Sequence, residues 1–205
     1  TEEICFEKLP NSFVLKATHD SGSVCICRNK QDFDFDLAKK KLNICLKRNY
    51  YWFSREWPYK HIRPQIVAEK YIEDFNGAGQ LSDYKFMVFN GVVKCLFVCS
   101  ERFSSDSLKV DFFDLDWNHL PFERKYPNSK EIIKRSRYLN VMVCCAKKLA
   151  QGLTFARIDF YELEDRVYFS EITLFPGGGF EGFSPDEWDH KLGDWLDIKN
   201  KNDTD

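Results

Sequence analysis

The commonest sequence marks of function are missing from this chain. No two of its eight cysteines stand in C-x-x-C spacing, which removes the usual zinc and dithiol motifs. Cysteines 5, 25, 27, 45, 95, 99, 144 and 145 fall mostly inside apolar patterns, so free buried thiols are expected rather than a disulfide framework. G-x-x-x-x-G-K-[ST] does not occur, which excludes a Walker loop. The four histidines, His19, His61, His119 and His190, lack the spacing of a triad or zinc site. No apolar run reaches membrane-spanning length and no signal peptide is recognisable, so a cytoplasmic location without a membrane span is expected. Neither sign of charge dominates. Thirty basic residues against thirty-two acidic ones leave −2, which excludes a global field for nucleic acid or an anionic membrane. Any positive site must be local. The first residues, Thr1-Glu-Glu-Ile-Cys5, lack an initiator Met and run almost at once into a strand, as in a fragment of a longer protein.

What is present is apolar and aromatic. Hydrophobic residues at 43%, with nineteen Phe, argue for a folded globule and against disorder. Strands are expected over Ser12–Lys16, Val24–Arg28, Gln65–Ile72, Ser82–Asn90, Val92–Cys99 and Lys109–Phe113. Asn90-Gly91 marks a tight hairpin between the fourth and fifth of these. A helix capped by Asp34 or Asp36 should end near Asn49; a longer one spans Glu131–Ala150 and a short one Glu187–Ile198. Residues 50–64, aromatic with Pro58 and Pro64, suit a loop or ordered crossover, and 200–205 a polar tail. Helices mixed with antiparallel strands in this order imply an α+β fold.

The most informative stretch runs from Phe155 to Gly177 and reads as a hairpin with acids on one face. Side chains alternate along a strand, so Arg157 and Asp159 share one face while Ala156, Ile158 and Phe160 take the other. With a turn at Glu164-Asp165-Arg166, residue 163 pairs with 167, Ile158 with Ile172 and Asp159 with Glu171. A one-residue slip would put Glu171 against Ile158 on the core face. Carboxylates facing each other across strands repel. A hard cation removes that penalty, and Mg²⁺ takes one or two carboxylates together with waters and phosphates. From spacing alone, the same hairpin reads equally well as a solvated strand face with a salt bridge.

A second constellation joins Lys16, at a strand end, to the loop Ala17-Thr-His19-Asp-Ser21-Gly22-Ser23. A cation beside a run of backbone N–H groups can cover a polyphosphate. Taken singly, such a pair is more often a plain turn.

In order and spacing these pieces resemble the ATP-grasp superfamily, and most closely its TupA-like branch associated with polysaccharide biosynthesis. The likeness runs from Phe13-Val-Leu-Lys16 through Ile66-Val-Ala-Glu69-Lys-Tyr-Ile72 and Asp83-Tyr-Lys85 to Arg157-Ile-Asp159, Glu171-Ile-Thr173 and Pro176-Gly177. It implies two α+β subdomains that sandwich ATP: an N-terminal lobe over residues 1–72 and a C-terminal lobe over 73–199. By the same resemblance Lys16 reaches the nucleotide, and His19, Ser21, Gly22 and Ser23 lie in the loop that closes over the phosphates. Glu69, Lys70, Tyr71 and Ile72 form the hinge on the adenine edge, Asp83 reaches ribose, and Lys85, Arg102 and Arg157 act on the phosphoryl group or substrate. Asp159, Glu171 and Thr173 hold Mg²⁺.

The implied reaction is ATP-dependent ligation of a carboxylate, which the polysaccharide-linked branch suggests is a uronic acid, to an amine such as an amino acid. It proceeds through an acyl phosphate, in synthesis of a capsule or cell-surface glycan. Two departures stand out. Many members of the superfamily have Asn where this chain has Thr173, a poorer metal ligand that is usual in the TupA-like branch. The domain that precedes this region in the family, with another nucleotide-facing lysine, has no counterpart in the sequence, which implies weak ATP affinity. The glycines 177–179 would let backbone approach substrate, or form a simple turn. Trp52, Trp57, Tyr59 and Trp117 would stack on a sugar or fill a core. Two rival readings are a nucleotide-binding protein without chemistry and a glycosyltransferase using Asp114-Leu-Asp116.

Overall fold

The computed structural model describes residues 4–72, 81–100 and 108–198. Arg102 and the 200–205 tail lie outside them. The chain divides into two compact units, Thr1–Glu73 with Gly177–Gly179, and Asp74–Pro176 with Phe180–Asp205.

In the first unit, strands β1 (Phe13–Ala17), β2 (Val24–Cys27) and β3 (Ile66–Lys70) form an antiparallel sheet in the order β2-β1-β3. Alternation decides its two faces. Phe13, Leu15, Cys25 and Cys27 are buried against Ala38 and Leu42 of helix α1 (Phe35–Leu46), while Val14 and Lys16 look the other way. Asp34 caps α1 by accepting from the Leu37 N–H at 2.8 Å. The Asp34→Ala substitution is therefore expected to cost about 1 kcal/mol, seen as a small fall in the chemical-denaturation midpoint. The helix stops three residues short of Asn49. Asn49 donates to the Lys60 carbonyl and accepts from the Tyr51 N–H, so it starts the next turn instead. Residues 50–64 are more ordered than a plain loop, with helix α2 (Tyr51–Ser54) and a 3₁₀ turn at Trp57–His61.

The second unit is a five-stranded antiparallel sheet in the order β6-β5-β4-β7-β8, from β4 (Ser82–Phe89), β5 (Val92–Ser100), β6 (Lys109–Phe113), β7 (Phe155–Glu162) and β8 (Val167–Thr173). Asn90 and Gly91 both have positive φ, as the tight turn between β4 and β5 requires. One sheet face, with Phe86, Val88, Leu96, Ile158 and Phe160, packs on helix α3 (Leu139–Leu149). The other buries Met87, Phe97 and Phe112 beneath Phe122 and Trp188, the latter on helix α4 (Glu187–Asp194), but only at one end. None of the described helices is long and apolar enough to cross a membrane.

Three expectations need correction. Residues 131–138 are not helical: the Ser129 hydroxyl accepts from Glu131 N–H, the Ser136 hydroxyl from Tyr138 N–H, and the Ile133 carbonyl from the Trp117 indole. Local side-chain bonds outcompete the helix there. The last helix ends at Asp194, because Asn90 binds both the N–H and the C=O of Asp197. In the β7–β8 hairpin, Ile158↔Ile172 and Asp159↔Glu171 pair as expected, yet Phe160 pairs with Phe169 and Glu162 with Val167. A bulge leaves Ser170 as the extra residue and tightens the turn. All eight cysteines are free, and burial pushes the Cys95 thiol up to about 12, which makes it inert.

Candidate active site

The sheet of the second unit carries its charge in rows. Residues directly opposite across antiparallel strands share a face, so Phe112, Phe97, Lys85, Asp159 and Glu171 form one row across β6, β5, β4, β7 and β8. Neighbouring rows add Asp83 with Cys99, and Arg157 with Thr173. The row is apolar where aromatic side chains cover it and ionic beyond.

The ionic half is closely connected. The Arg157 guanidinium donates to both Asp159 oxygens, from Nε at 2.8 Å and Nη2 at 2.7 Å, and reaches Glu171 Oε1 at 2.5 Å. Lys85 Nζ bonds Asp159 and lies 3.0 Å from Asp83 Oδ2. Thr173 Oγ1 donates to Glu171 Oε1 at 3.3 Å. Burial falls off along the row: the Asp159 side chain is 0% exposed and that of Glu171 52%. Burial alone would raise the Asp159 pKa, but Arg157 and Lys85 outweigh it and hold the carboxyl below its usual range. Conversely, burial would lower Lys85, and the Asp159 and Asp83 carboxylates raise it instead.

Three carboxylates, Asp83, Asp159 and Glu171, meet two cations, Lys85 and Arg157, so the face keeps one formal negative charge. Among the described residues no three His, Cys, Asp or Glu side chains form a metal cage. Mg²⁺ does not need one where phosphates and waters complete its shell. An uncompensated negative charge and a half-exposed Glu171 oxygen set match that demand.

In the first unit, Lys16 lies 2.5 Å from Glu69, both on the face away from α1. Because β3 is an edge strand of its sheet, half of its backbone groups point away from β1, which is what a hinge reading asks of Glu69 and Lys70; Tyr71 and Ile72 follow the strand. The loop folds on Asp20: its carboxylate accepts from Ser21 N–H at 2.8 Å and from the Ser23 hydroxyl. Gly22, at φ +86°, makes that curl possible. The loop thus already holds an anionic group. It borders a cavity of about 510 Å³ with Lys41, Arg48 and Tyr50. His19 turns inward, 2% exposed, with Nε2 3.1 Å from the Cys45 carbonyl oxygen, so it anchors the loop to α1.

Other candidates divide the same way. Trp117 stacks on Phe113 at 4.4 Å and is part of the core, whereas Trp52 and Trp57 are exposed with Arg55 and Lys60 over their rings. Asp114 accepts from the backbone of Asp116 and Asn118 and from the Asn118 side chain, so this D-x-D spacing builds a turn. Sequence spacing gives no reason to single out Arg124, yet it is buried and paired to Glu181 at 2.5 Å.

The sequence model of a family described as TupA-like ATPgrasp matches residues 1–197. No curated protein matches the chain significantly. Among solved structures, a D-alanine–D-alanine ligase from Bacillus anthracis complexed with ATP is 19% identical at a TM-score of 0.46, over 83% of this chain and 44% of that one. The D-alanine–D-alanine ligase from Helicobacter pylori is 16% identical at 0.42, over 83% and 44%. The ATP-grasp ligase PsnB, complexed with a phosphomimetic variant of minimal precursor, Mg and ADP, is 11% identical at 0.41, over 80% and 38%. The chain therefore spans less than half the length of each of these structures.

Proposed function

Because the chain belongs to the TupA-like ATP-grasp family, we propose that it is the nucleotide-binding and metal-binding part of an ATP-dependent carboxylate–amine ligase. The observation that carries this reading is the ionic face itself: the carboxylates Asp83, Asp159 and Glu171 set around the cations Lys85 and Arg157. A structural salt-bridge face has no need of an odd carboxylate. A site that accepts a divalent cation does.

In this reading an acceptor carboxylate oxygen attacks the γ-phosphorus of ATP; the new P–O bond forms as the bond to the β-phosphate oxygen breaks, and ADP leaves. An amine nitrogen then attacks the acyl carbon, phosphate departs, and the amine proton goes to solvent or phosphate. No protein nucleophile is required. Lys16 neutralises nucleotide phosphate, and Lys85 and Arg157 hold the transferred group through charge-assisted hydrogen bonds. Arg102, outside the described residues, is assigned to the same group, and Asp83 to ribose. Residues 19–23 form the phosphate loop of a lobe ending at Ile72, and Glu69 to Ile72 offer backbone to the adenine edge. Asp159, Glu171 and Thr173 would hold Mg²⁺, whose chemistry is to neutralise charge on the phosphates during transfer. Branch membership extends the proposal to a uronic acid as acceptor, an amino acid as amine and a surface polysaccharide as destination.

Thermal unfolding with Mg-ATP, and in parallel with a UDP-sugar, tests the nucleotide assignment. At a hundred times the dissociation constant ATP should add about 2.7 kcal/mol, a rise of several degrees, and the UDP-sugar nothing. Lys16→Met should weaken ATP about tenfold. Stabilisation by the UDP-sugar alone would replace the ligase reading with a glycosyltransferase.

A further inference from the structure

The chain as a whole is slightly acidic, yet its positive charge is concentrated in one stretch. From Lys39 to Arg63, eight Lys and Arg stand against a single acid, Glu56, a net charge of +7 within a chain of net −2. The stretch lies wholly in the first unit. The buried positions Ala38, Leu42 and Cys45 mark the core side of α1, so Leu37, Lys40, Lys41, Ile44, Lys47 and Arg48, all exposed, line its outer side and the end that follows.

The cavity of about 510 Å³, walled by Lys41, Ile44, Arg48, Tyr50 and Phe53 opposite loop 20–23, carries this stripe into the aromatic segment. There Trp52, Phe53 and Trp57 are 60, 76 and 53% exposed. Large apolar side chains left open together mark an interaction surface. Their arrangement is fixed: the Tyr51 ring meets Trp52 at 5.1 Å and Trp57 at 5.8 Å, edge to face. Cations lie over the indoles, Arg55 at 5.6 Å from the Trp52 ring centre and Lys60 at 4.3 Å from that of Trp57. A sugar would need a free ring face with a hydrogen-bonding side chain beside it, but the one acid of the stretch, Glu56, is buried. Phe53 and Ile44 have no polar atom to offer one. An anionic bilayer suits both features. Aromatic rings enter the boundary between headgroups and acyl chains, while Lys and Arg reach the headgroup phosphates.

We propose that the outer side of α1 and the 50–63 segment form a docking surface for an anionic lipid bilayer. Trp52, Phe53 and Trp57 enter the interface, and the surrounding Lys and Arg pair with lipid phosphates. The attraction acts over about one Debye length, so the local +7 governs it and the acids elsewhere on the chain are screened. This surface is independent of the ligase reading.

Vesicles of phosphatidylcholine with about 30% phosphatidylglycerol, and vesicles of phosphatidylcholine alone, are the probes. The chain should sediment with the anionic vesicles and stay in solution with the neutral ones. Raising salt from about 0.1 M to about 0.5 M should weaken the binding by about tenfold or more, through screening. Trp52→Ser combined with Phe53→Ser should weaken it by about tenfold or more through lost apolar burial. Lys40→Glu combined with Arg63→Glu should do the same through charge. All four side chains are exposed, so both variants should unfold at the wild-type denaturant midpoint. Should a variant misfold, the wild-type contrast between the two vesicles and its salt dependence decide. No sedimentation with anionic vesicles at about 0.1 M salt, or undiminished binding by both variants, overturns the proposal. Retention on soluble polygalacturonate without binding to vesicles also overturns it and assigns the surface to an acidic polymer. Stabilisation by Mg-ATP, or its failure, bears on the ligase reading alone.

Discussion

Asp159→Asn is expected to destabilise the chain by about 3–5 kcal/mol, because the change leaves Arg157 and Lys85 mostly buried without the carboxylate that both of them bind. The side chain it removes is fully buried and accepts from Arg157 on both oxygens. Urea unfolding of wild type and variant at neutral pH measures the difference. The pH dependence follows from the same residue. Its folded pKa lies below its unfolded value of about 3.9, so its contribution is present in full above that value and is lost as pH falls through the folded pKa. Wild type should therefore lose stability steeply below about pH 4, and Asp159→Asn should show a flatter acid limb. A variant as stable as wild type, with the same acid limb, would mean that Asp159 is not the centre of this network.

Glu171→Gln should behave in the opposite way. Its side chain is half exposed, and its bond to Arg157 is shared with solvent, so stability should change by less than about 1 kcal/mol. Turnover should suffer far more. If Glu171 holds Mg²⁺ against the phosphates, removing its charge should cut Mg²⁺-dependent ADP formation by about 10²–10³-fold, the scale on which losing one preorganised electrostatic contact acts. The assay is ADP release against Mg²⁺ concentration, beside an unfolding curve on the same sample. Wild-type turnover in a stable variant would remove Glu171 from the metal site. Together the two substitutions separate the structural from the chemical part of one row. Asp159 should hold the sheet face together besides its proposed metal role, whereas the loss of Glu171 should show only when nucleotide is present.

Much of this was legible in the residues themselves. Alternation along Phe155–Glu162 and Val167–Thr173 sets Asp159 opposite Glu171, since any slip by one would bury a carboxylate against Ile158. Asn90-Gly91 specifies its turn and Asp34 its helix start, because both are local chemistry. The helix expected over 131–138 does not form, for the converse reason. Its pattern suits a helix, but bonds from Ser129 and Ser136 and a distant indole claim the backbone first.

The sequence by itself determined which acids and bases share a strand face, because a period of two needs no knowledge of the rest of the chain. Only tertiary structure decided their states. It brought Lys85 from β4 onto Asp159 of β7, tied both Asp159 oxygens to Arg157, and left Glu171 reaching solvent at the sheet edge. It also buried Arg124 on a turn closed by Ser184 and Glu181. The physical reason is range: side-chain direction is a local property of the backbone, whereas burial and charge balance depend on every neighbour that folding brings near.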